Sequence, residues 1–161
     1  MNYSLSTIWE GPTVGTNFYS VDREKLLREG WENLRDGRGH EFDPDIIHIG
    51  KSSFGWCFAL RIYPAEGIVD LGSWARWLVD ESRIILDEYG DPISFSDLYA
   101  RITDRKRPAG PLLSQPPERD DEWYHKNFAV PGPMGLARHT LGSGCVSHGD
   151  GTYDLIEGEF S

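Results

Sequence analysis

Prolines are distributed unevenly along this 161-residue chain, and their distribution limits where regular structure can form. Six of the ten prolines lie between residues 106 and 139, where neither helical nor strand periodicity is visible. Proline fixes its own φ angle, lacks an N–H donor and disfavours the helical conformation in the preceding residue. We therefore predict an ordered but irregular excursion over 106–139, with the helices and strands on either side of it.

Short β-branched and aromatic runs bounded by turn residues predict the strands. These runs lie at residues 16–21, 45–50, 56–64, 83–90 and 152–160. They alternate irregularly with helical patterns, which is typical of an α+β fold. We expect a mainly antiparallel sheet with two to three helices, and the chain length fits a single compact domain over 1–161.

Each predicted helix follows a side chain that can accept a hydrogen bond from the first helical turn. These capping residues are Asp22, Asp70 and Ser94. In the first helix, Leu27, Trp31 and Leu34 recur at helical spacing and are expected to share one face. Gly30 lies within that helix and weakens it by about 1 kcal/mol relative to alanine.

The charge balance restricts the classes of partner. The chain has 26 acidic and 16 basic residues, for a net charge of −10. This argues against direct binding to a DNA or RNA backbone, which needs clustered cations, and permits a basic protein partner. No apolar run is long enough to span a membrane, and no secretory leader pattern is visible. Cys57 and Cys145 are too few for a disulfide framework, so we expect two thiols in a reducing cytoplasm.

The stretch HIGKSSFGWC at 48–57 contains the Gly-Lys-Ser of a Walker A phosphate loop. That loop needs a glycine five residues before Gly50, where this chain has Asp45, and a helix after it. The residues that follow predict a strand instead. The sequence therefore excludes a P-loop and predicts a β-hairpin with Gly-Lys-Ser-Ser at its tip.

A glycine turn with a lysine and hydroxyls can still hold a small anion, although an ordinary polar hairpin tip explains the same residues. Trp56 could stack on a planar ring such as a nucleobase. A second glycine-rich turn near the C-terminus could face the first. The candidate ligand-binding residues are His48, Lys51, Ser52, Ser53, Trp56, Asp150 and Thr152.

A second hypothesis is a metal site, because Cys-x-x-His is a spacing that zinc ligands often use. The candidate ligands are His139, Cys145 and His148. His48 or water would be the fourth ligand, and zinc is the metal that such ligands take. An open site would activate water, with Asp150 or Glu157 as base. The alternative is a set of unrelated surface or core histidines.

Blocks of sequence also resemble known proteins. They lie at residues 15–19, 48–58, 87–90, 102–105, 135–139 and 145–161. The most specific are HIGKSSFGWCF and HGDGTYD followed by GEFS. Together they resemble a family of small, functionally uncharacterised proteins of tailed bacteriophages. Members often carry a Cys-x-x-Cys pair before HIGKSS, which this chain lacks. The resemblance implies a phage origin and the host-cell cytoplasm, and it implies no activity.

Three functional hypotheses follow. The first is a non-enzymatic phage accessory protein that acts by binding a host protein or a small anionic, nucleotide-like ligand, for example to counteract host defence. The alternative is a metal-dependent hydrolase or nucleotide-modifying enzyme. A further alternative is a minor virion or morphogenesis component. The sequence determines neither the ligand nor the oligomeric state.

Overall fold

The structure, a computed structural model, describes residues 15–36, 41–53, 56–103, 138–149 and 153–160. The predicted excursion over 106–139 lies outside this part of the chain, except for its last two residues. Within the described ranges, four α-helices and a six-stranded sheet form an α+β fold with a mainly antiparallel sheet, as predicted. None of the described helices combines the length and the apolar character needed to span a bilayer.

The sheet has the strand order β4-β1-β2-β3-β6-β5. The strands are β1 (Thr16–Asp22), β2 (Ile46–Ser52), β3 (Phe58–Ile62), β4 (Arg83–Asp87), β5 (Cys145–Ser147) and β6 (Tyr153–Glu157). Neighbouring strands are antiparallel, except that β3 and β6 run parallel. The short strand β5 is an element that the sequence pattern did not predict.

Three of the four described helices begin at the predicted capping residues. They are α1 (Arg23–Glu29), α2 (Trp31–Arg35), α3 (Leu71–Leu78) and α4 (Phe95–Thr103). A carboxylate oxygen of Asp22 accepts a hydrogen bond from the Lys25 amide at 3.0 Å, and one of Asp70 accepts from the Ser73 amide at 2.8 Å. The Ser94 hydroxyl accepts from the third residue of α4 at 3.1 Å. Side-chain capping therefore defines where three of these helices start.

Gly30 divides the first predicted helix into α1 and α2. Its φ of 80° and ψ of 156° lie outside the helical region and end α1. Because the helix is interrupted at Gly30, Leu27 and Leu34 do not share a face as expected. Leu27 is 81% exposed, whereas Leu34 is fully buried beneath the sheet face that α1 and α2 cover.

The Gly-Lys-Ser motif lies in strand β2 and not at the predicted hairpin tip. Gly50 and Lys51 pair with β1 on one side and with β3 on the other. The hairpin between β2 and β3 is confirmed, but its turn begins after Ser52. The first strand offers a second ladder of hydrogen bonds here, which extends β2 beyond the length that local turn chemistry predicts.

The two faces of the sheet carry different layers. The main core lies on the face that α3 and α4 cover, and includes Phe58, Trp74 and Leu98. Residues that alternate with the core positions of β3 and β6 lie on the opposite face, here called the second face. Ala59 and Asp154 lie there side by side in the parallel pair, and the C-terminal segment folds over them.

Candidate metal centre

Asp154 is the central residue of a polar cluster on the second face. It lies on β6, and its side chain is fully buried. Arg138 Nη1 and His148 Nδ1 donate to its Oδ1 atom at 3.1 and 2.7 Å. The His139 amide and ring Nδ1 donate to its Oδ2 atom at 2.8 and 3.0 Å. An ionised carboxylate has about four lone-pair positions, so these donors satisfy it completely.

A register shift in β5 turns two side chains toward this carboxylate. Residues three apart on a regular strand point to opposite faces. The pairing of β5 with β6 shifts between Cys145 and Ser147, as in a β-bulge. Because of this shift, Cys145 and His148 both face Asp154. The Cys145 Sγ atom lies 3.9 Å from His148 Nδ1.

Cys145, His148 and Asp154 form a group that can hold a metal ion. One ligand atom from each residue lies within 4.8 Å of the other two. Ligands of a tetrahedral zinc ion are separated by about 3.3–3.6 Å, given zinc–ligand distances of about 2.0–2.3 Å. The observed separations of 2.7 and 3.9 Å at His148 Nδ1 lie on either side of that range. Small side-chain movements would therefore bring both separations to coordination distance.

The same geometry argues against a cysteine nucleophile. In a Cys–His–Asp triad the thiol and the carboxylate contact opposite nitrogens of the imidazole. Here both approach Nδ1 of His148. Burial, followed by the negative charge of Asp154, raises the pKa of the Cys145 thiol to about 11. A thiol with this pKa is protonated at neutral pH and is a poor nucleophile.

Asp154 is ionised despite its burial. Burial by itself raises the pKa of a carboxyl group, but the hydrogen bonds from His139 and His148 outweigh it and hold the pKa below its ordinary value. Arg138 is 4% exposed and supplies a permanent positive charge beside it. The cluster therefore contains a buried anion with a matched cation.

His139, a predicted metal ligand, lies beside this group. Its ring bonds the Oδ2 atom of Asp154 and packs against Trp56, with 5.1 Å between the ring centroids. It is not one of the three residues whose ligand atoms converge. By bonding Asp154, His139 can orient this carboxylate without itself binding the ion.

His48 belongs to a different network. It lies on β2, is 2% exposed, and its Nε2 atom bonds Asn17 Oδ1 at 2.8 Å. Its ring packs against Tyr19 and Phe160, with centroid distances of 5.3 and 5.0 Å. The structure does not place it among the converging ligand atoms.

The other predicted ligand residues are dispersed. Lys51 pairs with Ala59, which pairs with Asp154, so these three residues lie in one row across the sheet. Strand spacing puts Lys51 and Asp154 about 10 Å apart along that row. Ser52 pairs with Thr16 in β1, and Ser53 follows the end of β2. Two further candidates, Asp150 and Thr152, lie outside the described residues.

Two residues of the cluster, Asp154 and Arg138, were not predicted from the sequence. Asp154 interrupts an apolar strand in TYDLIE, and a charged residue at such a position is rarely buried unless it is paired. An aspartate within an apolar strand therefore indicates a buried carboxylate that has a partner. Glu157, considered as a base, is exposed at the end of β6 and is not part of the group. Arg138 lies at the end of the proline-rich segment, where no periodicity indicated its position.

Comparison of the chain with models of protein families, with curated proteins and with solved structures found no match. The resemblance to tailed-bacteriophage proteins therefore stays a prediction. Fold and site define an α+β protein with a candidate metal centre on the second face of its sheet.

Proposed function

We propose that this chain is a zinc protein in which Cys145, His148 and Asp154 bind the ion. The observation that carries the proposal is the convergence of a thiol and a carboxylate on one imidazole nitrogen. Sulfur, nitrogen and oxygen ligands together suit zinc. A thiolate ligand disfavours magnesium and calcium, which prefer oxygen.

Zinc would replace the proton on Nδ1 of His148. All four hydrogen-bonding positions of Asp154 are taken, and one of them is filled by the Nδ1 proton of His148. Neutral imidazole can carry its proton on Nε2 instead, which leaves Nδ1 as a ligand. Cys145 would bind as thiolate and release its proton. His148 is 25% exposed, so its ring has room to move away from Asp154.

The site has the composition of an open zinc centre. Of the described residues, three supply converging ligand atoms and no fourth His, Cys, Asp or Glu joins them. Three protein ligands and one exchangeable position are typical of catalytic zinc. Zinc held in this way supplies a nucleophile by lowering the pKa of bound water to about 7. We therefore propose a zinc-dependent hydrolase.

Metal content tests the binding step. The protein is purified after growth with zinc, freed of loosely bound metal, and assayed by elemental analysis. We expect one zinc per chain, and a large loss in C145S and H148A. Cys57→Ser is the matched control, because Cys57 is a second buried thiol outside the group and its variant should retain zinc. A wild-type protein without stoichiometric metal would exclude the proposal.

Cobalt substitution tests whether one position is open. A thiolate bound to Co²⁺ gives an intense near-ultraviolet charge-transfer band, and C145S should lose it. Azide is expected to change the visible spectrum by binding at the open position. Zinc-dependent cleavage of activated carboxylic or phosphate esters would then be measured. A spectrum that azide leaves unchanged would mean a closed structural site and would rule out the hydrolase.

The binding role predicted from the sequence stays a prediction, as does the virion-component alternative. An acidic protein with a net charge of −10 could recognise a basic host protein. Of the predicted anion ligands that the structure describes, His48 bonds Asn17, Lys51 and Ser52 lie at the end of β2, and Trp56 packs against His139. A thermal-shift screen against nucleotides, together with capture from host lysate, would test this role. The phage origin and the host-cell cytoplasm also stay predictions.

A further inference from the structure

Arg138 occupies an unusual position for a residue next to a metal site. Its Nη1 atom donates to Asp154 Oδ1 at 3.1 Å and to the backbone oxygen of His148 at 3.3 Å. The guanidinium thus contacts two of the three candidate ligand residues. Arg138 and Asp154 are both buried, so solvent and salt screen this ion pair weakly.

The charge of the cluster differs between the metal-free and metal-bound states. Without metal, the positive charge of Arg138 balances the negative charge of Asp154, 3.1 Å away. With zinc, the Cys145 thiolate and the Asp154 carboxylate already balance the two charges of the ion. The arginine charge is then in excess, since arginine does not deprotonate in proteins.

Resting on the zinc site proposed above, we propose that Arg138 is the internal counter-ion of Asp154 and sets the metal affinity of the centre. It stabilises the metal-free fold, because Asp154 would otherwise be an unpaired buried charge. It also opposes the ion by like-charge repulsion across a few ångströms in a poorly solvated site. The arginine and the metal ion therefore compete for one carboxylate.

The experiment compares wild type with Arg138→Gln, which removes the positive charge and leaves a shorter, neutral polar side chain. Zinc affinity is measured by competition with a chelator of known affinity, and the thermal midpoint is measured on metal-free protein. We expect R138Q to bind zinc about tenfold tighter or more. We expect its metal-free midpoint to fall by about 5–10 °C.

Two further variants separate charge from general damage. Arg138→Lys keeps the positive charge, and we expect its zinc affinity to stay within about threefold of wild type. Arg83→Gln removes another buried arginine, which bonds the hydroxyl and backbone oxygen of Ser20 far from the cluster. It should lower the midpoint without changing zinc affinity. Equal tightening in R83Q would overturn the proposal.

The outcomes separate this inference from the zinc site itself. If neither wild type nor R138Q binds zinc, the zinc site is wrong. If wild type binds zinc and R138Q binds it equally or more weakly, only the role of Arg138 is wrong. R138Q that folds only with zinc would support the proposal, because the ion replaces the lost cation. R138Q that stays unfolded at saturating zinc would contradict it.

Discussion

Asn17 presents its side-chain oxygen to His48 Nε2 at a distance of 2.8 Å. Glu88 fixes the orientation of the amide, because its Oε1 atom accepts from Asn17 Nδ2 at 3.1 Å and from the Asn17 backbone amide at 2.7 Å. The amide nitrogen therefore faces Glu88 and the oxygen faces His48, so His48 must carry a proton on Nε2. The histidine of HIGKSS is thus a hydrogen-bond donor within the sheet.

Removal of this amide should destabilise the fold. Asn17→Ala deletes the acceptor of a buried imidazole N–H, and we expect a loss of about 1–3 kcal/mol in the free energy of unfolding, measured by urea denaturation. Glu88→Gln is the matched control. Its side-chain oxygen can still accept both bonds from Asn17, so its cost should stay below about 1 kcal/mol. Equal losses in both variants would show that the orientation of Asn17 does not matter.

Substitution of Gly30 distinguishes one helix from two. In a continuous helix, Gly30→Ala would stabilise the protein by about 1 kcal/mol. In the structure, Gly30 has φ 80°, and a Cβ atom there meets no neighbouring atom within 4 Å. The substitution should therefore destabilise the protein through backbone strain alone, by about 1–2 kcal/mol. Thermal unfolding followed by circular dichroism gives the sign of the change.

Leu27 and Leu34 provide an independent check of that break. Leu34→Ala should cost about 2–5 kcal/mol because it leaves a cavity in the core. Leu27→Ala should lie within about 0.5 kcal/mol of wild type, because the side chain is 81% exposed. Similar losses at both positions would indicate an unbroken amphipathic helix.

Gly50 should be required for packing and not for phosphate binding. A Cβ atom at this position would collide with the Ala59 carbonyl oxygen and the Phe58 ring. We expect Gly50→Ala to cost about 1–3 kcal/mol in unfolding free energy, as overpacked cores do. Lys51→Ala, in the next position of the motif, should cost less than about 1 kcal/mol. A fully stable G50A protein would contradict the close approach of β2 and β3.

The cap of α3 should give a pH-dependent contribution to stability. Hydrogen bonds from the Ser73 backbone amide, and then from its hydroxyl, lower the pKa of Asp70. The ionised form is therefore favoured in the folded state, so its contribution is complete above the ordinary pKa of about 3.9 and is lost as the pH falls through the lower folded-state pKa. Asp70→Ala should lower the thermal midpoint by about 2–4 °C at pH 7.

This difference between wild type and D70A should shrink below about pH 4, where the cap protonates. Asp70→Asn is the control, because asparagine caps helices without titrating and should keep a constant advantage over alanine. A difference that does not change with pH would mean that the carboxylate charge plays no part in the cap.

The sequence by itself determined the local features of this protein. Asp22, Asp70 and Ser94 begin helices because a capping bond joins residues only three positions apart. The β-branched and aromatic runs indicated every described strand except β5, because strand propensity depends on the side chains of a short stretch. The exclusion of a P-loop also followed from residues within one short stretch.

Only the tertiary structure determined which distant residues contact one another. The register shift between β5 and β6 brings Cys145 and His148 to one buried carboxylate, and Arg138 reaches the same carboxylate from the segment before β5. Such contacts depend on strand register and on which chain segments fold back, and short-range propensities carry no information about either. The spacing in the sequence therefore indicated Cys145 and His148 as candidate metal ligands. Only the folded sheet shows that both lie next to Asp154.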